Sequence, residues 1–161
     1  MSFTSSVKHF DSLKWPEALK AAKEKGSTLV WPFGALEQHG PHLPLSTDTV
    51  FADKLLDSIL ARLPASTPVW RLSSQSIGFS PEHRSFSGTI SLSGQLLLQL
   101  VMEVGQQISE MGFSRLIFFN AHGGQIGLLQ AAARQLRNEC PSMGVLPCFL
   151  WSGVRTLDDL I

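Results

Sequence analysis

A short loop at residues 34–48 concentrates side chains that bind metal ions. It contains two carboxylates and two imidazoles, on Glu37, His39, His42 and Asp48, together with two glycines and two prolines. Carboxylate oxygen and neutral imidazole nitrogen are ligands that suit zinc, manganese and iron, while glycine and proline restrict the backbone that carries them. Glu37 and His39 are two residues apart, so in extended backbone they point to the same side. The loop therefore predicts a site for a divalent metal.

The elements that must position this loop alternate along the chain. A helix is predicted at residues 16–25 from the proline in its first turn and the glycine that follows it, and further helices at residues 50–63, 97–111 and 126–138. Strands are predicted at residues 28–33, 68–73, 116–119 and 145–150. The second helix is inferred from the spacing of Val50, Phe51, Leu55, Ile59 and Leu63. The aromatic residues of the strands, Trp31, Trp70, Phe118 and Phe119, are expected in the core. The pattern predicts one α/β domain over residues 1–161, with three α/β/α layers and a mainly parallel sheet.

In such a sheet, the loops that follow the strands emerge at one rim, where open α/β sheets bind ligands. The loop after the first strand carries the four residues named above. The loop after the second strand carries Glu82 and His83, and the loop after the third carries Asn120 and His122. Four of the five histidines are therefore predicted to converge, and His9 lies outside.

Asp48 and His122 have further support as metal ligands. Asp48 lies at the predicted start of a helix, where free amides and the helix dipole favour the ionised carboxylate that binds a metal. A plain helix cap is the alternative, and the nearby Glu37 and His39 favour the metal role. His122 precedes two glycines that let the backbone turn beside a bulky ligand. Capping of the next helix is its alternative role.

The other two histidines are assigned to substrate binding. His42 is expected to face substrate, or to pack within its loop, rather than to bind a metal directly. A Glu-His pair in a polar loop has many uses, so a structural role for His83 stays open. The general acid and base are left unassigned.

Composition limits the partners. Thirteen basic residues balance thirteen acidic ones, so no excess charge favours nucleic acid or an anionic membrane. The sequence shows no signal peptide or membrane span, and Cys140 and Cys148 are expected to be reduced thiols. The chain is predicted to be a cytoplasmic protein with a small-molecule partner.

Three motifs resemble those of the creatininase family, also called creatinine amidohydrolases. They are Gly-Ala-Leu-Glu-Gln-His-Gly-Pro-His-Leu-Pro at residues 34–44 with Thr47 and Asp48, Phe-Ser-Gly-Thr-Ile-Ser-Leu at residues 86–92, and Asn-Ala-His-Gly-Gly at residues 120–124. The resemblance covers about residues 15–150. It implies an α/β/α fold, homo-oligomers, and hydrolysis of a linear or cyclic amide carbon–nitrogen bond through metal-activated water.

The resemblance also implies a ligand set for two divalent metals per site, zinc or manganese, with iron as a further candidate. Glu37, Asp48 and His122 would hold one metal, and His39 with a bridging Asp48 would hold part of the second. Some family members have a glutamate at the position of Gly124, and the family has a later histidine-glycine segment ending in a glutamate. The chain is therefore expected to be C-terminally incomplete, with one strong metal site, one weak one and low or no amidohydrolase activity.

Two alternatives to an amidohydrolase stay open. One is a non-catalytic metal-binding or assembly subunit that keeps the fold and half of the site. The other is a phosphate or nucleotide binder, for which the two glycines after His122 are the support. No Gly-x-Gly-x-x-Gly or Gly-x-x-x-x-Gly-Lys-Ser/Thr pattern occurs in the sequence, which disfavours it.

Overall fold

The computed structural model describes residues 7–151, which form alternating helices and strands. The helices are α1 (Trp15–Lys23), α2 (Thr47–Leu60), α3 (Gly94–Met111) and α4 (Ile126–Glu139), and the strands are β1 (Thr28–Phe33), β2 (Val69–Arg71), β3 (Arg115–Asn120) and β4 (Gly144–Phe149). Short 3-10 turns occur at Phe10–Ser12, Pro81–His83 and Gly123–Gln125. Each predicted helix and strand is present within about one helical turn of its expected place.

The four strands form one parallel sheet in the order β2-β1-β3-β4. The two central strands are aligned so that Phe33, the last residue of β1, pairs with Asn120, the last residue of β3. An isolated bridge also joins Phe33 to Gln75, just after β2. The loops that follow three strands therefore start side by side at one edge of the sheet, as the sequence predicts.

Helices cover both faces, which gives the predicted three-layer α/β/α fold. On one face α1, α3 and α4 pack against residues such as Leu29, Trp31 and Phe118, and on the other α2 packs against Val30 and Phe119. Alternate strand residues thus point to opposite layers. Trp31, Trp70, Phe118 and Phe119 are all buried, as expected. Within residues 7–151, no helix has the length and apolar content needed to cross a membrane.

The apolar stripe that predicts α2 lies largely on the exposed side of that helix. Val50, Phe51, Leu55 and Ile59 are 40–49% exposed, whereas the buried apolar residues of α2 are Ala52, Leu56 and Leu60. Both sets recur at helical spacing, so the period identifies the helix without distinguishing its core face. The exposed stripe leaves an apolar surface beside the sheet.

Candidate metal centre

The loop after β1 turns back on itself, and this brings Glu37 close to the start of α2. The backbone amide of Glu37 donates to the carbonyl of Leu45 at 3.1 Å. At Gly34 a Cβ atom would lie 2.3–2.7 Å from atoms of Thr49, so only glycine permits this close approach. Gly40 has φ 71°, a left-handed conformation that also favours glycine. The glycines of the motif thus shape the loop that carries the carboxylates and imidazoles.

The structure brings the four predicted metal ligands together. Oδ1 of Asp48 lies 3.1 Å from Nε2 of His39, and Oδ2 lies 3.0 Å from Nδ1 of His122. Oε1 of Glu37 lies 3.2 Å from Nδ1 of His122 and 3.8 Å from Nε2 of His39. Glu37 and His122 are 5% and 4% exposed. Asp48, which lies in the first turn of α2 after Ser46, is placed between the two imidazoles.

Backbone carbonyls fix the proton positions of both imidazoles in this cluster. Nε2 of His122 lies 2.9 Å from the carbonyl oxygen of Phe79, and Nδ1 of His39 lies 3.2 Å from the carbonyl oxygen of Glu37. A carbonyl oxygen only accepts, so each of these nitrogens carries a hydrogen. In the neutral rings, the opposite nitrogens then present lone pairs to the carboxylates. Metal-binding histidines are usually held in this way, with the far nitrogen donating to a fixed acceptor.

The atoms that meet at the centre are all acceptors when the imidazoles are neutral. Within the described part of the chain, Oδ2 of Asp48 is buried without a hydrogen-bond partner, although it forms an ion pair with His122 when that ring is protonated. The proton on Nδ1 of His122 therefore decides whether Oδ2 of Asp48 has a partner. Buried acceptors that face one another need a proton or a cation between them. The chemistry of Glu37, His39, Asp48 and His122 therefore fits a divalent metal.

The pKa of His122 reflects the same surroundings. Burial alone lowers this pKa, but the hydrogen bond with Asp48, the charge of Glu37 and the carbonyl of Phe79 together raise it above the usual histidine value. The carboxylates therefore favour a positive charge at Nδ1. A bound metal would supply this charge and displace the proton.

Neighbouring polar side chains hold the ligands in place. The hydroxyl of Ser80, which is fully buried, donates to Oε2 of Glu37. The side chain of Asn120 accepts from the backbone amide of His122 at 3.1 Å and donates to its carbonyl at 2.7 Å. Gln125 donates to the carbonyl of Gly34 at 3.1 Å and to Asn120 at 3.0 Å. Ser80 and Gln125 lie outside the three sequence motifs, so no pattern in the sequence identifies them.

Gly124 lies against the far side of the His122 ring. A Cβ at this position would be 2.6 Å from Nε2 of His122, 2.8 Å from Oε1 of Glu82 and 3.0 Å from the carbonyl oxygen of Phe79. Any larger residue here, such as the glutamate that some family members carry, would require His122 or Glu82 to shift. The carboxylate of Glu82 instead lies beside this position, and ligand atoms of Glu37, Glu82 and His83 lie within 4.8 Å of one another.

The two histidines assigned to substrate binding have different surroundings. His83 is placed at the centre, with Nε2 at 4.0 Å from Oε2 of Glu37 and a side chain 31% exposed. His42 is exposed, and its ring lies close to Gly40, where a Cβ would be 3.2 Å from ring atoms. The contacts among the described residues therefore join His83, but not His42, to the cluster.

The chain has a parallel sheet with carboxylates and imidazoles clustered at its carboxyl edge. These features place it among α/β proteins with a candidate metal site. Within that class, the chain belongs to the creatininase family: the family model described as creatinine amidohydrolase matches residues 11–161. The mycofactocin precursor peptide peptidase of Mycobacterium tuberculosis is 39% identical over 127 residues, covering 75% of this chain and 50% of the relative. The creatinine amidohydrolase of Pseudomonas putida is 27% identical over 115 residues, covering 68% of this chain and 43% of the relative.

Solved creatininase structures share the fold. A mutant creatininase has a TM-score of 0.84 at 21% identity, covering 95% of this chain and 63% of its own. Similar structures include a manganese creatininase, with a TM-score of 0.82, and a zinc–zinc form of a mutant, with a TM-score of 0.78. The chain spans about half the length of the curated relatives it matches.

Proposed function

We propose that this chain carries the metal centre of an amidohydrolase that cleaves a linear or cyclic amide carbon–nitrogen bond. The observation that carries the proposal is the cluster of facing acceptors, in which Asp48 lies 3.0–3.1 Å from the imidazole nitrogens of His39 and His122. Two kinds of relative support amide cleavage, since one is named a creatinine amidohydrolase and the other a peptide peptidase. The metal is proposed to be zinc or manganese, which are the metals of the similar creatininase structures.

The proposed ligand roles follow from the contacts. Glu37, Asp48 and His122 would hold one metal, and His39 with a shared Asp48 would hold part of a second. When bound, the metals supply a positive charge that polarises the amide carbonyl and lowers the pKa of a water molecule toward about 7. The protein's own contribution is positional: Ser80 holds the carboxylate of Glu37 by a hydrogen bond, and the neighbouring carbonyls keep the two imidazole lone pairs directed inward.

The partner is proposed to be a small-molecule amide or a short peptide that reaches the centre from the exposed side of His83. His42 would contact the outer part of such a substrate, because its ring is exposed in the same loop as the ligands. A homo-oligomer in the cytoplasm remains our expectation. The exposed apolar stripe of α2 offers a surface on which copies of the chain could associate.

A non-catalytic metal-binding or assembly subunit is the second candidate. It is favoured by Gly124, which stands where some family members carry a glutamate. In this case the four-residue cluster would bind a metal without turning over an amide.

Metal content per chain, combined with an amide hydrolysis assay, separates the candidates. Protein purified without chelator is analysed by elemental mass spectrometry, beside Glu37→Gln, Asp48→Asn and the control Glu24→Gln, which alters an exposed residue. Bound zinc or manganese that is lost in the first two variants, together with amide turnover, would support the amidohydrolase. The same metal content without turnover of creatinine or peptide amides would favour the second candidate, and a protein that binds no metal would overturn both.

A further inference from the structure

Gln38 lies between Glu37 and His39 in the sequence, and two contacts fix the orientation of its side chain. Its Oε1 accepts a hydrogen bond from the backbone amide of Gly40 at 2.9 Å. A backbone amide only donates, so the side-chain atom that contacts Gly40 must be the oxygen. The other terminal atom of the side-chain amide is therefore the NH₂ nitrogen, and it lies 3.1 Å from Nδ1 of His83.

This contact determines where His83 carries its hydrogen. An amide nitrogen donates and does not accept, so Nδ1 of His83 must be the acceptor. In the neutral ring, the hydrogen is then on Nε2, the nitrogen that faces Oε2 of Glu37 at 4.0 Å. That separation exceeds a hydrogen bond, and the side chain is 31% exposed. The N–H group is thus directed at the centre and accessible to a bound molecule.

His83 therefore differs from the other two histidines of the centre. His39 and His122 direct lone pairs inward because carbonyl oxygens bind their opposite N–H groups. His83 directs an N–H inward because a donor occupies its opposite nitrogen. A metal needs a lone pair, so this tautomer argues against a metal site formed by Glu37, Glu82 and His83, even though their ligand atoms lie within 4.8 Å of one another.

We propose that His83 is a hydrogen-bond donor to the carbonyl oxygen of the amide substrate, and that Gln38 is the residue that positions its hydrogen. The inference rests on the proposed function, and it adds a role that the ligand set leaves unfilled. Negative charge develops on the carbonyl oxygen when the amide is attacked, and a fixed N–H donor at that oxygen stabilises the transition state. A neutral imidazole can provide this donor.

The first test reads the tautomers directly. Long-range ¹H–¹⁵N correlation of the imidazole rings is recorded on the zinc-loaded protein, with the five histidines assigned through single His→Gln variants. The expected result is a hydrogen on Nε2 of His83 and of His122, and on Nδ1 of His39. A hydrogen on Nδ1 of His83 would overturn the inference.

Gln38→Glu tests the positioning role. A carboxylate can still accept from the amide of Gly40, but it cannot donate to Nδ1 of His83. The hydrogen of His83 should then move to Nδ1, and the lone pair now present on Nε2 should increase zinc binding beside Glu37. The matched control is Gln99→Glu, which makes the same change on an exposed part of α3 and should leave the His83 signals unaltered. An unchanged His83 tautomer in Gln38→Glu would show that Gln38 does not position the hydrogen.

A third variant distinguishes the inference from the proposed function. His83→Leu should retain the metal content of the wild type, while kcat for an amide substrate falls roughly 10²–10³-fold, as on removal of one oxyanion donor. Loss of a metal in His83→Leu would identify His83 as a ligand and overturn the inference. Absence of metal from the wild type would instead overturn the proposed function, and the tautomer of His83 would still be measurable because its contact with Gln38 involves no metal.

Discussion

Replacement of Asp48 by asparagine should abolish stabilisation by metal without unfolding the protein. Asp48 contacts both imidazoles, at 3.1 Å and 3.0 Å, so it is the carboxylate most central to the cluster. In the metal-free protein the new amide can donate to the lone pair of His39 or His122, which relieves one acceptor–acceptor contact. At a pH above the pKa of His122, where its ring is neutral, the free energy of unfolding without metal should therefore stay within about 1 kcal/mol of the wild type.

With metal, the two proteins should differ. A ligand at about 100 times its Kd stabilises the folded state by about 2.7 kcal/mol. In a chain of this size, 1 kcal/mol corresponds to roughly 2–4 °C in Tm, so zinc should raise the wild-type Tm by about 5–10 °C. In Asp48→Asn a roughly 100-fold weaker affinity would leave zinc near its Kd, where it stabilises by only about 0.4 kcal/mol, so the increase in Tm should fall below about 2 °C.

Thermal unfolding followed by circular dichroism, with zinc and with a chelator, measures both effects. The control is Asp57→Asn in the same helix, whose carboxylate accepts from Arg71 at 2.6 Å and is 40% exposed. It should lower the Tm without metal and preserve the zinc-dependent increase. A full zinc-dependent increase in Asp48→Asn would refute the placement of Asp48 in the metal site. A metal-free loss above about 3 kcal/mol would show that its carboxylate mainly stabilises the fold.

Two further substitutions test the support of the centre. Gly124→Ala should weaken zinc binding measured by calorimetry, because its Cβ would lie 2.6 Å from Nε2 of His122. The control Gly123→Ala, with no atom within 4 Å of its Cβ, should bind zinc normally. Equal zinc affinities of the two variants would contradict the steric argument. Ser80→Ala should lower the metal-free free energy of unfolding by about 1–3 kcal/mol in urea titrations, because the buried Glu37 loses a hydrogen-bond donor. No loss of stability would show that this hydrogen bond contributes little.

The sequence predicts most of the fold because local signals agree with the tertiary structure. The end of α3 at Gly112, with φ 106°, is such a signal. Its start is predicted three residues late, because apolar spacing begins at Leu97, whereas the side chain of Ser93 caps the helix by accepting from the amide of Leu96. The core face of α2 is different. Leu55 and Leu56 belong to two stripes with the same helical period, and only the position of the sheet determines that Leu56 is buried.

The candidate site also has a part that the sequence predicts and a part that it does not. Topology predicts that Glu37, His39, Asp48 and His122 converge, because loops after parallel strands leave from one edge of the sheet. The contacts of Ser80 and Gln125 could not be predicted, since they depend on the path of a loop that returns from another part of the chain. The placement of His42 was not resolved by sequence for a related reason: spacing within a turn-rich loop does not determine which side chain faces inward.

The loop after β2 has a larger role in the centre than its composition suggests. Gly78 allows it to pass close to Gln125 and to the carbonyl of Gly34, where a Cβ would be 2.5–2.6 Å from their oxygens. From this anchored position the loop supplies the carbonyl of Phe79 to His122 and the hydroxyl of Ser80 to Glu37. The carbonyl and the hydroxyl determine which atoms at the centre act as hydrogen-bond acceptors. A motif can therefore identify histidines that lie at such a site, but their hydrogen-bond partners determine whether each one presents a lone pair or an N–H group to the centre.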